Sequence, residues 1–252
     1  MNAGRPAVVW GQIAGHAAAA GQRASVADVC AVAMGPAQVS GAWVTVSGDR
    51  GPDFVMCVTD PVGEQLAELQ LTLGEGPCCD VLASAAPVLA ADLGDEDSGR
   101  RWPGFAAPAG RLGAGAVFAF PLSVGVIRTG VMGLYCNSPG SLSVAQLGDA
   151  LILADAATLL LLDGLQHGGD GQAAAAGGLP VSGQPPDLAV HRAEIDQATG
   201  MLTVQLSVGI AEAFARLRAY AYVSDRRLAD VASDIVGRRL RLHRDPGGDG
   251  AR

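Results

Sequence analysis

Between His167 and Asp187 the sequence loses every hydrophobic period, and glycine, alanine, glutamine and proline fill the stretch. A segment of this composition buries too little apolar surface to offset the entropy of ordering it, so it reads as a mobile linker outside any folded core. That single feature dictates the architecture, because each flank must complete its own core. The expected organisation is an N-terminal helical or flexible segment over 1–24, a first domain over 25–166 and the linker over 167–187. A smaller second domain over 188–244 and a disordered tail over 245–252 complete it. A chain of 252 residues accommodates such a pair.

Charge divides at the same place. All seventeen basic residues are arginine, against twenty-five carboxylates, for a net charge of −8. That total argues against a protein coated in non-specific nucleic-acid affinity. Yet residues 1–187 hold seven arginines against seventeen acids, a balance of −10, whereas residues 188–244 hold nine against six, a balance of +3. Positive charge is therefore concentrated in the second domain. With 49% apolar and 17% charged residues the chain can bury a core, and disorder throughout is excluded. The absence of lysine reads as codon bias.

Five cysteines, Cys30, Cys57, Cys78, Cys79 and Cys136, are odd in number, lack Cys-x-x-Cys spacing and accompany only four scattered histidines. Neither a disulfide framework nor a zinc site is expected from that pattern, and a reducing cytoplasm is the default. No charged start followed by a long apolar run opens the chain. Leu151 to Leu162 is interrupted by Asp155 and falls short of the roughly 20 residues that span a bilayer. A soluble, cytoplasmic protein without a membrane partner is expected.

In the first domain, Ser25 to Met34 reads as a serine-capped amphipathic helix. Val39 to Ser47 and Phe54 to Thr59 read as strands joined by the turn Gly48-Asp49-Arg50-Gly51-Pro52. Pro61 to Leu73 and Pro77 to Ser84 read as helices, Pro87 to Ala90 as a brief strand, and Ala114 to Val124 with Thr129 to Cys136 as a second strand pair across a turn near Gly125 to Arg128. Two sequential strand pairs with helices between them imply an α+β fold on an antiparallel sheet.

Ser143 to Gln166 is the longest helical pattern, opened by a capping box between Ser143 and Gln146. Val144, Leu147, Leu151, Ala154, Thr158, Leu161 and Leu165 follow a three-four alternation, and Ile152, Ala156, Leu159 and Leu160 make a second stripe. One stripe suffices to dock a helix in a small domain. Either the helix is buried on all sides, or the first stripe pairs with its copy in a homodimer with Thr158 as a polar register point; the second reading is preferred.

After the linker, three helical patterns follow: Ile195, Ala198, Leu202 and Leu206; then Ile210, Ala213, Phe214, Leu217 and Ala221; then Leu228, Val231, Ala232 and Ile235. They predict a three-helix bundle whose polar faces carry Arg216, Arg218, Arg226, Arg227, Arg238, Arg239 and Arg241, with Tyr220 and Tyr222 nearby. Arginine interleaved with tyrosine suits RNA loops, whose splayed bases stack on aromatic or guanidinium planes while phosphates take the guanidinium fork. A helix-turn-helix on duplex DNA also uses arginine, and a merely solvated surface has the same composition.

The run AEIDQATGMLTVQLSVGIAEAFARLRAYAYVSDRRLADVASDIVGRRLRL resembles an ANTAR domain, the RNA-binding output module of transcription antitermination regulators. The resemblance spans all three helices and implies binding to paired stem-loops in nascent transcripts, which prevents a terminator hairpin; RNA polymerase is then an indirect partner. By position, Gln197, Thr199, Arg216, Arg218, Tyr222, Arg226 and Arg227 become the candidate RNA contacts, with Thr199 standing where many members have lysine. Arg238 to Arg241 instead complement a helix C-terminus.

LTLGEGPCCDVL (Leu71 to Leu82), RRWPGF (Arg100 to Phe105) and GAVFAFPLSVGVIRTGVMGLY (Gly115 to Tyr135) resemble a GAF domain of the kind joined to ANTAR modules. That resemblance implies a six-stranded antiparallel sheet flanked by helices, a pocket on one face for an unidentified small molecule, and dimerisation. No cofactor is named by it. Cys78 and Cys79 open a predicted helix whose dipole favours a thiolate, so a structural pair, a redox sensor and a sulfoxide-reducing thiol enzyme all remain open. The acidic run Asp92, Asp95, Glu96 and Asp97 reads as a solvated loop in preference to a cation site, and Trp102 and Phe105 as core caps in preference to a ligand platform. Neither a Ser-His-Asp set, a phosphate loop nor a receiver-type phosphoacceptor cluster is present, so a non-enzymatic regulator is expected, with a DNA- or protein-binding helical module as the rival.

Overall fold

The computed structural model describes residues 4–47, 53–125, 127–167 and 186–243. The turn expected at 48–52, most of the linker and the tail lie outside them. The chain forms two compact units, Met1–Leu188 and Ala189–Arg252.

The first unit is built on a five-stranded antiparallel sheet of order β2-β1-β5-β4-β3. Its strands are β1 (Gly41–Val46), β2 (Phe54–Val58), β3 (Val88–Ala90), β4 (Ala116–Val124) and β5 (Ile127–Cys136). Five strands, one fewer than the resemblance implies, are found among the described residues. The two hairpins stand where the β-rich runs placed them.

Both sheet faces are covered. Ala42 and Val44 of β1, Phe118, Phe120 and Leu122 of β4, and Met132 and Leu134 of β5 point to one face, against α1 (Arg5–Ala19), α2 (Val26–Ala33) and α7 (Val144–His167). Trp43, Val117, Ala119, Val131 and Tyr135 point to the other, against α3 (Pro61–Leu73), α4 (Pro77–Ser84) and α6 (Ala106–Arg111), with α5 (Glu96–Arg101) beside α6. Successive residues of a strand alternate between faces, so a sheet buried on both sides reads as near-continuous hydrophobic runs. Gly133 of β5 is required because a Cβ there would meet the Trp43 ring 2.2 Å away.

Helix ends follow local chemistry. The Ser25 and Asp28 side chains form a capping box on α2, and Asp60 caps α3 by accepting from the Val62 and Gly63 amides at 2.9 and 3.0 Å. Gly74, at φ 66°, ends α3. On α7 the expected capping box is present: the Ser143 amide donates to Gln146 Oε1 at 2.8 Å, and the Gln146 amide to Ser143 Oγ at 3.3 Å.

Three expectations change. The segment before residue 25 contributes α1, whose Val9, Ile13 and Ala17 are buried; Val9 and Ile13 join the core shared with α2 and α7. The acidic run is solvated but only partly loop: Asp92 precedes the helix, Asp95 caps α5 through the Ser98 amide at 2.7 Å, and Glu96 and Asp97 occupy its first turn, where the helix dipole favours carboxylates. Finally, Cys30 and Cys57 are joined by a disulfide, where cysteine spacing gave no such indication. Trp102 and Phe105, by contrast, lie in the core as expected.

Helix α7 is long and apolar enough by composition to cross a membrane. Its Ala150, Leu153, Ala154, Ala156, Ala157 and Leu161 are instead buried in the first core. The expected dimer stripe is therefore not one face: Ala154, Thr158 and Leu161 are inside, Leu147 is half-buried, Val144 and Leu151 are exposed, and the Leu165 side chain lies outside the described residues. The Thr158 hydroxyl is satisfied by the Ala154 carbonyl at 2.8 Å. The exposed stripe runs through Val144, Leu151, Asp155 and Leu159.

Candidate nucleic-acid interface

The second unit comprises α8 (Pro186–Leu206), α9 (Ile210–Val223) and α10 (Leu228–Val236). Ala198, Leu202 and Leu206 of α8, Ala213, Leu217 and Ala221 of α9, and Leu228, Val231, Ala232 and Ile235 of α10 are buried, matching the three sequence stripes except at Ile195 and Phe214, which are half-buried, and Ile210, which is exposed. Helices α8 and α9 meet at 107°, turning through Ser207 at φ 55°; Asp225, at φ 50°, turns the chain between α9 and α10.

Packing the apolar stripes inward leaves Tyr222, Arg226, Arg227, Arg238, Arg239 and Arg241 exposed, and Arg216, Arg218 and Tyr220 half-buried. On α9, Arg216 pairs with Glu212 one turn earlier, Nη2 to Oε1 at 2.8 Å, and the Arg218 guanidinium lies 5.6 Å from the centre of the Phe214 ring. Tyr222, one turn beyond Arg218, is 60% exposed. Arg226 and Arg227 are exposed in the turn leading into α10, and Arg227 is its N-cap residue.

One carboxylate organises part of this surface. Asp234 of α10 accepts from Arg226 Nη2 at 2.7 Å and from Arg239 Nε at 2.6 Å. Arg226 first and Arg239 second hold its carboxyl below the ordinary range. The pair of guanidiniums thus flanks one negative charge and keeps a net positive one, and Arg226 Nη2 also reaches the Asp230 carbonyl at 3.4 Å. Sequence reading missed Asp234, because Arg226 and Arg239 lie eight and five residues away and meet it only once α10 and its flanking turns have formed. Arg239 consequently serves Asp234 more directly than any helix dipole.

Among the other candidates, Gln197 is exposed on α8. Thr199 is not: it is fully buried, and its hydroxyl donates to the Ile195 carbonyl at 2.7 Å. An ordinary intrahelical bond explains the residue, and it presents nothing to a phosphate. Arg192 and Asp196, half-buried on the same helix, are 3.7 Å apart; burial pushes the guanidinium pKa down and the carboxyl pKa up.

Residues 189–236 match the ANTAR domain family. This unit is an ANTAR domain. It spans about the last quarter of the chain, and its kind is an RNA-binding regulatory module. No curated protein matches the chain. The first unit is similar in structure to the GAF domain of a phosphoenolpyruvate-protein phosphotransferase from Coxiella burnetii, at 15% identity and TM-score 0.49, covering 65% of this chain and 96% of that one. The GAF domain of the Acinetobacter phosphotransferase gives 13% identity and TM-score 0.46, with 63% and 91% coverage. The second GAF domain of DevS from Mycobacterium smegmatis gives 18% and 0.38, with 61% and 91%.

The thiol candidates of the first unit fall on α4. Cys78 is buried, its amide donating to Gln70 Oε1 at 2.8 Å, while Cys79 is half-buried with its sulfur 3.6 Å from the Gln70 carbonyl. Burial, and next the neighbouring Cys79, push the Cys78 thiol far above its usual pKa. The helix start therefore does not yield a thiolate at Cys78, since desolvation outweighs the dipole. Among the described residues, no group of His, Cys, Asp or Glu is arranged to hold a metal. A surface cleft of about 380 Å³ lies between α1, α7 and the end of α2, lined by Arg5, Val8, Gln12, Pro36 and Asp149 among others.

Proposed function

We propose that this protein regulates transcription termination by binding paired stem-loops in nascent RNA through its ANTAR domain, under the control of a GAF-type first unit. The observation that carries the reading is the exposed arginine and tyrosine surface of a unit that matches the ANTAR family over residues 189–236. Arg216, Arg218, Arg226 and Arg227 supply guanidinium forks for phosphates, Tyr222 offers a ring on which a splayed loop base stacks, and Gln197 reaches the same solvent. Binding holds the stem-loops against refolding into a terminator.

The GAF assignment is supported by the antiparallel sheet with helices on both faces and by the motifs of residues 71–82, 100–105 and 115–135. A homodimer forms through the exposed stripe of α7, with Val144 and Leu151 from the expected seam and Leu159 in place of Thr158. Pairing two α7 helices ties two ANTAR domains together, so the second stem-loop is engaged at high effective concentration. A small molecule in the first unit shifts this arrangement only by binding its two forms unequally. The protein acts without catalysis; burial of Cys78 removes the support for a thiol enzyme at Cys78 and Cys79.

The test is single-round transcription across a terminator preceded by two adjacent hairpins. Added protein raises read-through several-fold, and the Arg226→Ala, Arg227→Ala double variant does not. Equal read-through with and without protein overturns the proposal.

A further inference from the structure

We propose that Cys30 and Cys57 are a reversible thiol–disulfide couple, oxidised by a hydroperoxide or a low-molecular-weight disulfide, that staples α2 to β2 and so couples oxidant chemistry to α7. The two residues are 27 apart in sequence, each is about 1% exposed, and their Cα atoms are 6.9 Å apart, inside the roughly 7 Å limit for a bridge. The sulfurs are bonded to each other, and Cys57 Sγ also lies 3.6 Å from the Val26 carbonyl at the start of α2, an acceptor for its hydrogen once the bridge is opened.

Position supplies access and transmission. β2 is an edge strand and α2 only eight residues long, and short peripheral elements open locally at low cost, which admits a small oxidant to buried sulfur. Val29, Cys30 and Ala33 of α2 share one core with Ala150, Leu153 and Ala157 of α7, the helix from which the chain leaves the first unit. Cys78, Cys79 and Cys136 lie elsewhere and take no part in the disulfide.

With hydrogen peroxide, one sulfur attacks the O–O bond, forming S–O and releasing water. The second sulfur then displaces the sulfenic oxygen as water, forming S–S. Two thiol protons and two electrons pass to the peroxide, giving two waters; with a disulfide oxidant, exchange releases two small thiols instead. The consequence for RNA rests on the proposed function, whereas the couple itself does not.

The experiment takes the full chain, reduces it, exposes it to stoichiometric hydrogen peroxide or oxidised glutathione, alkylates it in denaturant and maps its peptides. Expected are a Cys30 to Cys57 cross-link, three alkylated thiols instead of five, and full reversal by dithiothreitol. Oxidation also slows amide exchange in α2 and α7 several-fold and raises the melting temperature by about 5–15 °C. Cys30→Ala and Cys57→Ala each abolish these shifts; the wild-type map decides even where one variant fails to fold. Oxidation at Cys78 and Cys79 instead, five thiols throughout, a bridge that dithiothreitol cannot open in the folded chain, or a bridge with unchanged exchange in α7 overturns the proposal. RNA affinity measured on both forms separates the two readings: binding by neither counts against the proposed function and leaves the thiol map standing.

Discussion

The two units use arginine in opposite ways. In the first, Arg5 of α1 reaches Asp149 of α7, a carboxylate only 1% exposed, with its Nε 2.5 Å from Oδ1 and its Nη2 on Oδ2. One cation seals one buried anion, and no charge is left to present. In the second, Asp234 serves two solvent-facing arginines at once. The Arg5 pair closes a fold, as the exposed pairs of Arg100 and Arg101 in the same unit do not, whereas the Asp234 cluster keeps a net positive charge at the surface. The net charge of −8 conceals this, because an acidic unit limits non-specific affinity while local guanidinium geometry stays available.

The comparison breaks most severely if the bundle beneath the arginines is lost. Leu217 is fully buried at the centre of α9, so Leu217→Ala costs about 2–5 kcal/mol, enough to unfold so small a bundle. Circular dichroism should lose the helical signal of α8 to α10, and RNA binding should vanish with it. A folded Leu217→Ala variant with full affinity would detach the surface from its scaffold.

Next in size, Arg226→Ala with Arg227→Ala should weaken RNA binding at least ten-fold and flatten the slope of log affinity against log salt by about 1–2. The fold of both units should be retained by circular dichroism. An unchanged slope would make these arginines scaffold instead of contact.

Acid should separate stability from presentation. Burial raises the Asp28 and Asp60 carboxyls, but hydrogen bonds outweigh it: His16 and Ser25 act on Asp28, and Thr59, the Gly63 amide, Tyr135 and the Val62 amide act on Asp60. Both carboxyls therefore titrate below their usual range. A carboxyl depressed by folding contributes stability that is present above its unfolded pKa and lost as pH falls through its folded value. Melting temperature should be flat above about pH 5 and decline below about pH 4. Asp60→Asn and Asp28→Asn should shallow that decline.

The smallest expected effect is that of Asp234→Asn. Removing the shared anion adds one positive charge and frees Arg226 and Arg239, so affinity for unrelated RNA should rise two- to five-fold while discrimination for hairpins falls. Filter binding with hairpin and unstructured RNA measures both.

Much of this was legible in the sequence where the chemistry is local. Pro61 and Gly74 bracket α3 behind the Asp60 cap, and β-rich runs separated by turn residues located both hairpins. What escaped needed the third dimension. The heptad reading of α7 assumed 3.5 residues per turn, and an α-helix at 3.6 drifts about 20° each heptad, carrying Ala154, Thr158 and Leu161 into the core while Leu159 turns outward. Thr199 was judged by its place in a motif, but burial decides what it touches. Cys30 and Cys57 meet only when α2 packs on β2, and Asp234 gathers its arginines only when α10 and its flanking turns have formed. In the acidic run, the same carboxylates that suggested a solvated loop are good first-turn residues, and composition alone does not separate the two.

The central claim is that the ANTAR domain recognises paired RNA hairpins through its exposed arginines. The direct measurement is an equilibrium titration of the full chain, at one fixed salt concentration, against RNA with two adjacent hairpins, RNA with one, and duplex DNA of matched length. The expected order is two hairpins, then one, then DNA, with at least ten-fold between the first and the last. Equal affinity for all three would contradict the account.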